Sequence, residues 1–190
     1  MKIVGISGKA QAGKDLTARL MREFLMAKGK KVLIVHFADK LKDIVKFAFN
    51  WDDDMVNSSK KDEVVEGTNY TPRWVLQQLG TEFFREKINE DFWVDTLLNE
   101  YKMDHWENEV GYDFILIPDV RFNSEALRIK DLGGKIFSVE RASLESKDQH
   151  RSEYPLINCL VDSKLSNNGS FEWLSNIVEK EVLILLGKGT

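Results

Sequence analysis

Residues 5–17 read GISGKAQAGKDLT. Gly8, Gly13 and Lys14 match the spacing of a phosphate-binding loop, G-x-x-x-x-G-K-[ST], but Asp15 stands where a Ser or Thr hydroxyl is usual. The run before it, KIVGIS, is apolar enough for a buried strand, and from Lys14 onward Ala18, Leu20, Met21, Phe24 and Leu25 recur at helical spacing up to Gly29. A strand, a glycine turn and a helix in that order are the context that such a loop requires. The glycines let the backbone curl its N–H groups inward, and the helix start adds positive potential. A plain glycine-rich turn would read alike but needs no lysine at this place. Lys14 supplies a point charge for β- and γ-phosphates, and Thr17, one turn on, is placed for the α-phosphate side. Two readings of Asp15 stand: a carboxylate favoured by the helix dipole, and a ligand for Mg2+, a hard ion that takes carboxylate oxygen.

Working outward, KVLIVHFA from Lys31 and DFILIPD from Asp113 are further continuous apolar runs, and KIFSVER and NCLVDS are candidates for a fourth and a fifth strand. Continuous rather than alternating runs belong to parallel strands covered on both faces. Helical patterns fill the gaps. DKLKDIVKFAFNW carries Leu41, Ile44, Val45 and Ala48 on one face, TPRWVLQQLGTEFFREKI opens on a Thr-Pro start, NSEALRIKDLGG stops at Gly133, and SFEWLSNIVEKEVLILL follows the fifth strand. The expected fold is a layered α/β domain with a parallel sheet. Two stretches break the alternation: 51–112 exceeds what one crossover helix needs, and 142–157 is polar and unpatterned. Such excursions are either binding loops and lids or solvated surface. The pair Gly80-Thr81 interrupts an otherwise good helix, which implies either close approach of the backbone to a ligand or a helix end followed by a second helix.

Bulk properties narrow the class. The 190 residues suit one domain, and a net charge of -4 argues against nucleic acid as partner. Cys159 is the sole cysteine, so neither a disulfide framework nor a Cys-rich metal site is expected. No apolar run reaches membrane length and no leader precedes KIVGIS, so a cytoplasmic protein is the default. The sequence permits a homodimer without requiring one.

The segment ILIPDVRFNSEA puts Asp119 and Arg121 just past the C-terminal end of a strand, where open α/β sheets bind ligands. Arg121 suits a phosphate, and Glu125 lies one turn beyond it; a surface ion-pair cluster is the plainer alternative. With GKAQAGKDLTA, RWVLQQLGTEFFR, FWV, PDVRFNSEA, VER and HRSE in this order, the chain resembles the bacteriophage-type deoxynucleoside monophosphate kinases of the P-loop kinase superfamily. The resemblance implies a three-layer fold with a five-stranded parallel sheet flanked by helices. The core would take 1–50, 113–141 and 158–190, with a monophosphate-binding insert near 51–112 and a lid near 142–157.

It further implies transfer of the γ-phosphoryl of ATP, with Mg2+, to a deoxynucleoside monophosphate, in the host cytoplasm if the source is viral. ATP would be held by Gly8, Ala10, Ala12, Gly13, Lys14, Asp15, Leu16 and Thr17, and the acceptor by Arg73, Gln77, Gly80, Thr81, Trp93, Asp119, Arg121 and Glu125. Lys14, Asp15, Arg121 and Arg141 would be catalytic, Asp15 the metal ligand, and His150 and Arg151 part of the lid. Trp74, beside Arg73, could join Trp93 in offering a flat face to a base. Other readings are a kinase of phosphomevalonate or dephospho-coenzyme A type, which lacks a use for LQQLGTE, and a nucleotide switch, which would need an Asp-x-x-Gly after the third strand. Of the three histidines, His36 is expected in the core or at a sheet end.

Overall fold

The computed structural model describes residues 1–107, 111–142 and 154–187, with only the backbone over 101–107. The chain divides into two compact units, Phe37–Glu100 and the remainder.

The larger unit holds five strands, β1 (Lys2–Ser7), β2 (Val32–Ile34), β3 (Phe114–Ile117), β4 (Lys135–Glu140) and β5 (Ser163–Ser166). They form one sheet in the order β2-β3-β1-β4-β5, parallel at every pairing. Alternation along β1 sends Val4 and Ile6 to one face, where they pack with Ala18, Met21 and Leu25 of α1 (Lys14–Ala27) and Leu174 and Val178 of α7 (Phe171–Leu185). The opposite face receives α6 (Asn123–Asp131). There Gly5 lets the side chains pack close, since a Cβ would lie 2.7 Å from Ile136 Cδ1 and 3.0 Å from Ile129 Cδ1 and they would have to shift. Burial on both faces makes three layers and accounts for the continuous apolar strands.

Helix ends follow the sequence signals. Gly29 and Gly133 both adopt positive φ, and each closes its helix with the pair of backbone bonds expected of a left-handed cap: Lys30 to Leu25 and Gly29 to Met26, then Gly134 to Ile129 and Gly133 to Lys130. The fifth strand, by contrast, lies beyond the apolar NCLVDS. Asn158–Leu160 forms a single 3-10 turn, and the strand begins at Ser163. As an edge strand β5 needs only one inward side chain, Leu165, so its sequence alternates. Asp162 marks the junction, taking the Ile136 N–H at 2.8 Å and the Lys130 and Lys135 ammonium groups at 2.7 and 3.0 Å.

The second unit is helical and begins at Phe37, ahead of the insert expected from 51. It contains α2 (Phe37–Phe49), the short α3 (Asp53–Asn57) and α4 (Pro72–Gln77), and the first part of α5 (Phe92–Glu107). Thr71 caps α4 by accepting the Trp74 N–H, with Pro72 at the first helical position. The expected break at Gly80 does not occur. The chain stays helical but widens to a π-helix over Gln78–Ile88. Two contacts explain the glycine: a Cβ would lie 2.6 Å from Leu41 Cδ2, and the Gly80 carbonyl accepts the Trp93 indole N–H at 2.8 Å.

Candidate active site

The phosphate loop joins β1 to α1. Gly8 sits at φ 145 and Gly13 at φ 100, both in the region that L side chains avoid. Each is also sterically closed: a Cβ on Gly8 would lie 2.5 Å from the Val139 carbonyl oxygen, and one on Gly13 would lie 2.4 Å from Asn167 Nδ2. The Asn167 amide donates to the Ala12 carbonyl at 2.8 Å, so the turn after β5 braces the loop. Gln11, at the loop's turn, holds a left-handed φ of 62.

Lys14 is nearly buried and donates to the Gly8 and Lys9 carbonyls, each at 2.9 Å. Its ammonium therefore curls over the loop. Thr17 is fully buried and donates its hydroxyl to the Gly13 carbonyl at 3.0 Å. This bond fastens the first helical turn and turns the hydroxyl onto the loop backbone. Ala10 and Leu16 are exposed on the loop and helix start, whereas Ala12 is buried beneath it.

Asp15 is the most exposed acid of the loop, with its side chain 67 % accessible. His36 Nε2 lies 3.1 Å from its Oδ1. That hydrogen bond holds the carboxyl below its ordinary value; partial burial opposes it, and the charges of His36, Lys14 and Arg19 reinforce it. His36 is thus at a sheet end, as one reading expected, but its ring is engaged with the loop. Nothing in the local sequence signals a pair separated by 21 positions.

A cleft of about 470 Å³ opens above the C-terminal ends of β1 and β4. Gly8, Arg121 and Arg141, all expected in the site, line it. Lys9, Lys164 and Tyr154 line it too; Lys9 fills a variable position of the phosphate-loop motif, and Lys164 and Tyr154 belong to no motif. Cations thus dominate the wall, offset by Glu140, which pairs with Lys164 at 2.9 Å. Asp119 lies in the turn after β3, before the Arg121 loop. Glu125 is buried, and its Oε2 accepts the backbone N–H of Arg121 at 2.7 Å and of Phe122 at 3.0 Å. These bonds shape the loop that carries Arg121. His150 and Arg151 lie outside the described residues.

In the second unit, Arg73 forks onto Asp62, with Nε on Oδ1 and a terminal nitrogen on Oδ2, and this holds the Asp62 carboxyl below its ordinary value. Trp93 is 4 % exposed and packed edge-on against Phe84 and Phe92, so it serves packing and leaves no ring face for a base. Trp74 is 51 % exposed and stacks at 6.0 Å on Tyr70. Gln77 is part-buried at the end of α4, and Thr81 is buried in the π-helix. Arg85, which sequence reading passed over, is also buried there and donates to the Glu90 carbonyl at 2.9 Å.

The sequence model of one family, deoxynucleotide monophosphate kinase, matches residues 54–178. The chain belongs to that family. The match begins after the phosphate loop and takes in the second unit from residue 54 onward, Arg121 and β5. A putative deoxynucleotide monophosphate kinase of Acanthamoeba polyphaga mimivirus is 27% identical over 90% of this chain and 91% of its own length. The deoxynucleotide monophosphate kinase of Enterobacteria phage T4 is 27% identical over 78% of this chain, and that of Escherichia phage RB69 is 29% identical over 57%. The chain spans 58% and 43% of those two phage proteins.

The family and its fold imply ATP with Mg2+, and the residues present fit both. The glycine cradle admits backbone approach that any Cβ would block. Among the described residues no group of three or more His, Cys, Asp or Glu side chains forms a cage. Mg2+ in kinases needs none, since one or two carboxylates plus substrate phosphates hold it, and the loop carries one carboxylate, Asp15. Among the described residues no helix is long and apolar enough to cross a membrane.

Proposed function

We propose that this family member transfers the γ-phosphoryl group of ATP to the phosphate of a deoxynucleoside monophosphate, yielding ADP and a deoxynucleoside diphosphate for DNA synthesis in the cytoplasm. The observation that carries this reading is the cleft in which the phosphate loop residues Gly8 and Lys9 share a wall with Arg121 and Arg141. An anionic donor and an anionic acceptor both need cations, and such a wall offers them to both.

The acceptor oxygen is already an anion, so no strong base is required. Loop amides and Lys14 hold the donor phosphates, with the Lys14 ammonium passing from the Gly8 and Lys9 carbonyls to phosphate oxygens. Arg121, set by Glu125, grips the acceptor phosphate; Arg141 stabilises charge on the transferring group. Mg2+, when bound, neutralises phosphate charge, and Asp15 is the residue that would hold it. Trp74 with Tyr70 is the aromatic face suited to the acceptor base. The segment 142–157, including His150 and Arg151, acts as the lid that excludes water.

The test is ADP release with ATP and Mg2+ over every deoxy- and ribonucleoside monophosphate, with phosphomevalonate and dephospho-coenzyme A as competing acceptors. Turnover with at least one deoxynucleoside monophosphate is expected. Activity confined to either competitor refutes the reading.

A further inference from the structure

Asp15 has two carboxylate oxygens, and one of them is engaged. His36 stands just past the end of β2, where Val35 still donates its backbone N–H to the Leu116 carbonyl at 3.0 Å. The backbone leading to His36 is therefore fixed to the sheet. Asp15 is fixed at its own root by the first turn of α1, which Gly13 and the Thr17 hydroxyl secure. Between these two anchored residues runs the 3.1 Å contact from Nε2 to Oδ1. A carboxylate offers only acceptors, so the ring nitrogen donates.

Stability alone is a poor reason for this pair. The side chains are 31 % and 67 % accessible, and surface pairs of that kind contribute little. Restricting Asp15 is another matter. An exposed aspartate samples several rotamers, whereas a metal ligand is needed in one. Partners that orient ligands in this way are common behind metal sites.

We propose that His36 is a positioning residue: its Nε2–H holds Asp15 by Oδ1, so that the carboxylate's second oxygen serves Mg2+ on the donor phosphates, directly or through water. The aspartate that replaces the usual loop hydroxyl thereby brings a requirement for a donor at the end of β2. This rests on the reading of the chain as a Mg2+-dependent kinase.

The test measures binding, not turnover. A fluorescent ATP analogue is titrated into wild type, His36→Phe, His36→Gln, Asp15→Asn and the Asp15→Asn/His36→Phe double variant, in EDTA and across a Mg2+ series. Wild type is expected to bind more tightly with Mg2+. His36→Phe raises the Mg2+ concentration at half effect about 10-fold and leaves affinity in EDTA unchanged. His36→Gln, whose amide also donates, recovers most of the loss, and His36→Phe adds nothing in the Asp15→Asn background. If His36→Phe melts early, His36→Ala takes its place. His36 variants that match a Mg2+-responsive wild type, or that lose equal affinity in EDTA, overturn this proposal alone. A wild type indifferent to Mg2+ overturns the kinase reading and this proposal with it.

Discussion

The carboxylate of Glu125, only 2 % exposed, accepts the backbone N–H of Arg121 at 2.7 Å, so a buried acid sets the place of an arginine in the cleft wall. Glu125→Ala removes an acceptor shared by two amides and is expected to cost about 2–3 kcal/mol, read as a lower urea midpoint. Glu125→Gln keeps an acceptor oxygen and should retain most of that stability. Both variants should raise the KM of the acceptor more than that of ATP, since the loop moved carries Arg121.

Lys14 holds two loop carbonyls with its ammonium, yet its role under the proposed reaction is with phosphates. Lys14→Met should lower kcat about 10²–10³-fold while the melting temperature changes little. A coupled ADP assay alongside a thermal melt checks both halves.

Gly13→Ala meets two separate obstacles, the φ of 100 and the Asn167 amide 2.4 Å from the new Cβ. Backbone strain of this kind costs about 1–3 kcal/mol, and nucleotide binding should fall with it. Adding Asn167→Ala removes the clash together with the bond to the Ala12 carbonyl, so the double variant is compared with Asn167→Ala. Partial recovery of the urea midpoint is therefore expected, and full recovery would show that the backbone angle imposes no strain.

Trp74 and Trp93 should part company on substitution. Trp74→Ala should raise the acceptor KM about 5–150-fold, the range of losing about 1–3 kcal/mol of stacking, without weakening ATP binding. Trp93→Phe should instead lower stability by about 1 kcal/mol, because the Gly80 carbonyl loses its indole donor. Acceptor kinetics and denaturation curves on the two variants separate these roles.

Asp162 sits among Lys130, Lys135 and the Ile136 N–H; burial opposes its ionisation, but these donors outweigh that and hold the carboxyl below its ordinary 3.8. A group depressed on folding adds stability above its unfolded value and loses it as pH falls through the folded one. Asp162→Asn should therefore be less stable than wild type by about 1–3 kcal/mol near neutrality. The gap should narrow below about pH 4, as the wild-type carboxylate protonates. Denaturant midpoints at pH 7, 5, 4 and 3 check the trend.

What the sequence disclosed was what lies close along the chain. The phosphate loop is contiguous from Gly8 to Lys14, and the caps at Gly29 and Gly133 each need only a few neighbours. Strand β5 was misplaced because an edge strand with Leu165 as its buried residue has no apolar run to find. Gly80 was read as a break because its two reasons, Leu41 and Trp93, come from other helices. Trp93 and Trp74 look interchangeable in a sequence, and only packing separates the buried ring from the exposed one. The pairing of His36 with Asp15 and the presence of Lys164 in the cleft wall depend on strand order, which no local pattern encodes.

The brace from Asn167 to the Ala12 carbonyl has a bearing on how the molecule comes into being. The two residues are separated by 155 positions. A ribosome emits the glycine loop long before the turn that supports it, so the nascent chain carries an unbuttressed loop until that turn is made. The loop then gains its support abruptly, when the fifth strand docks.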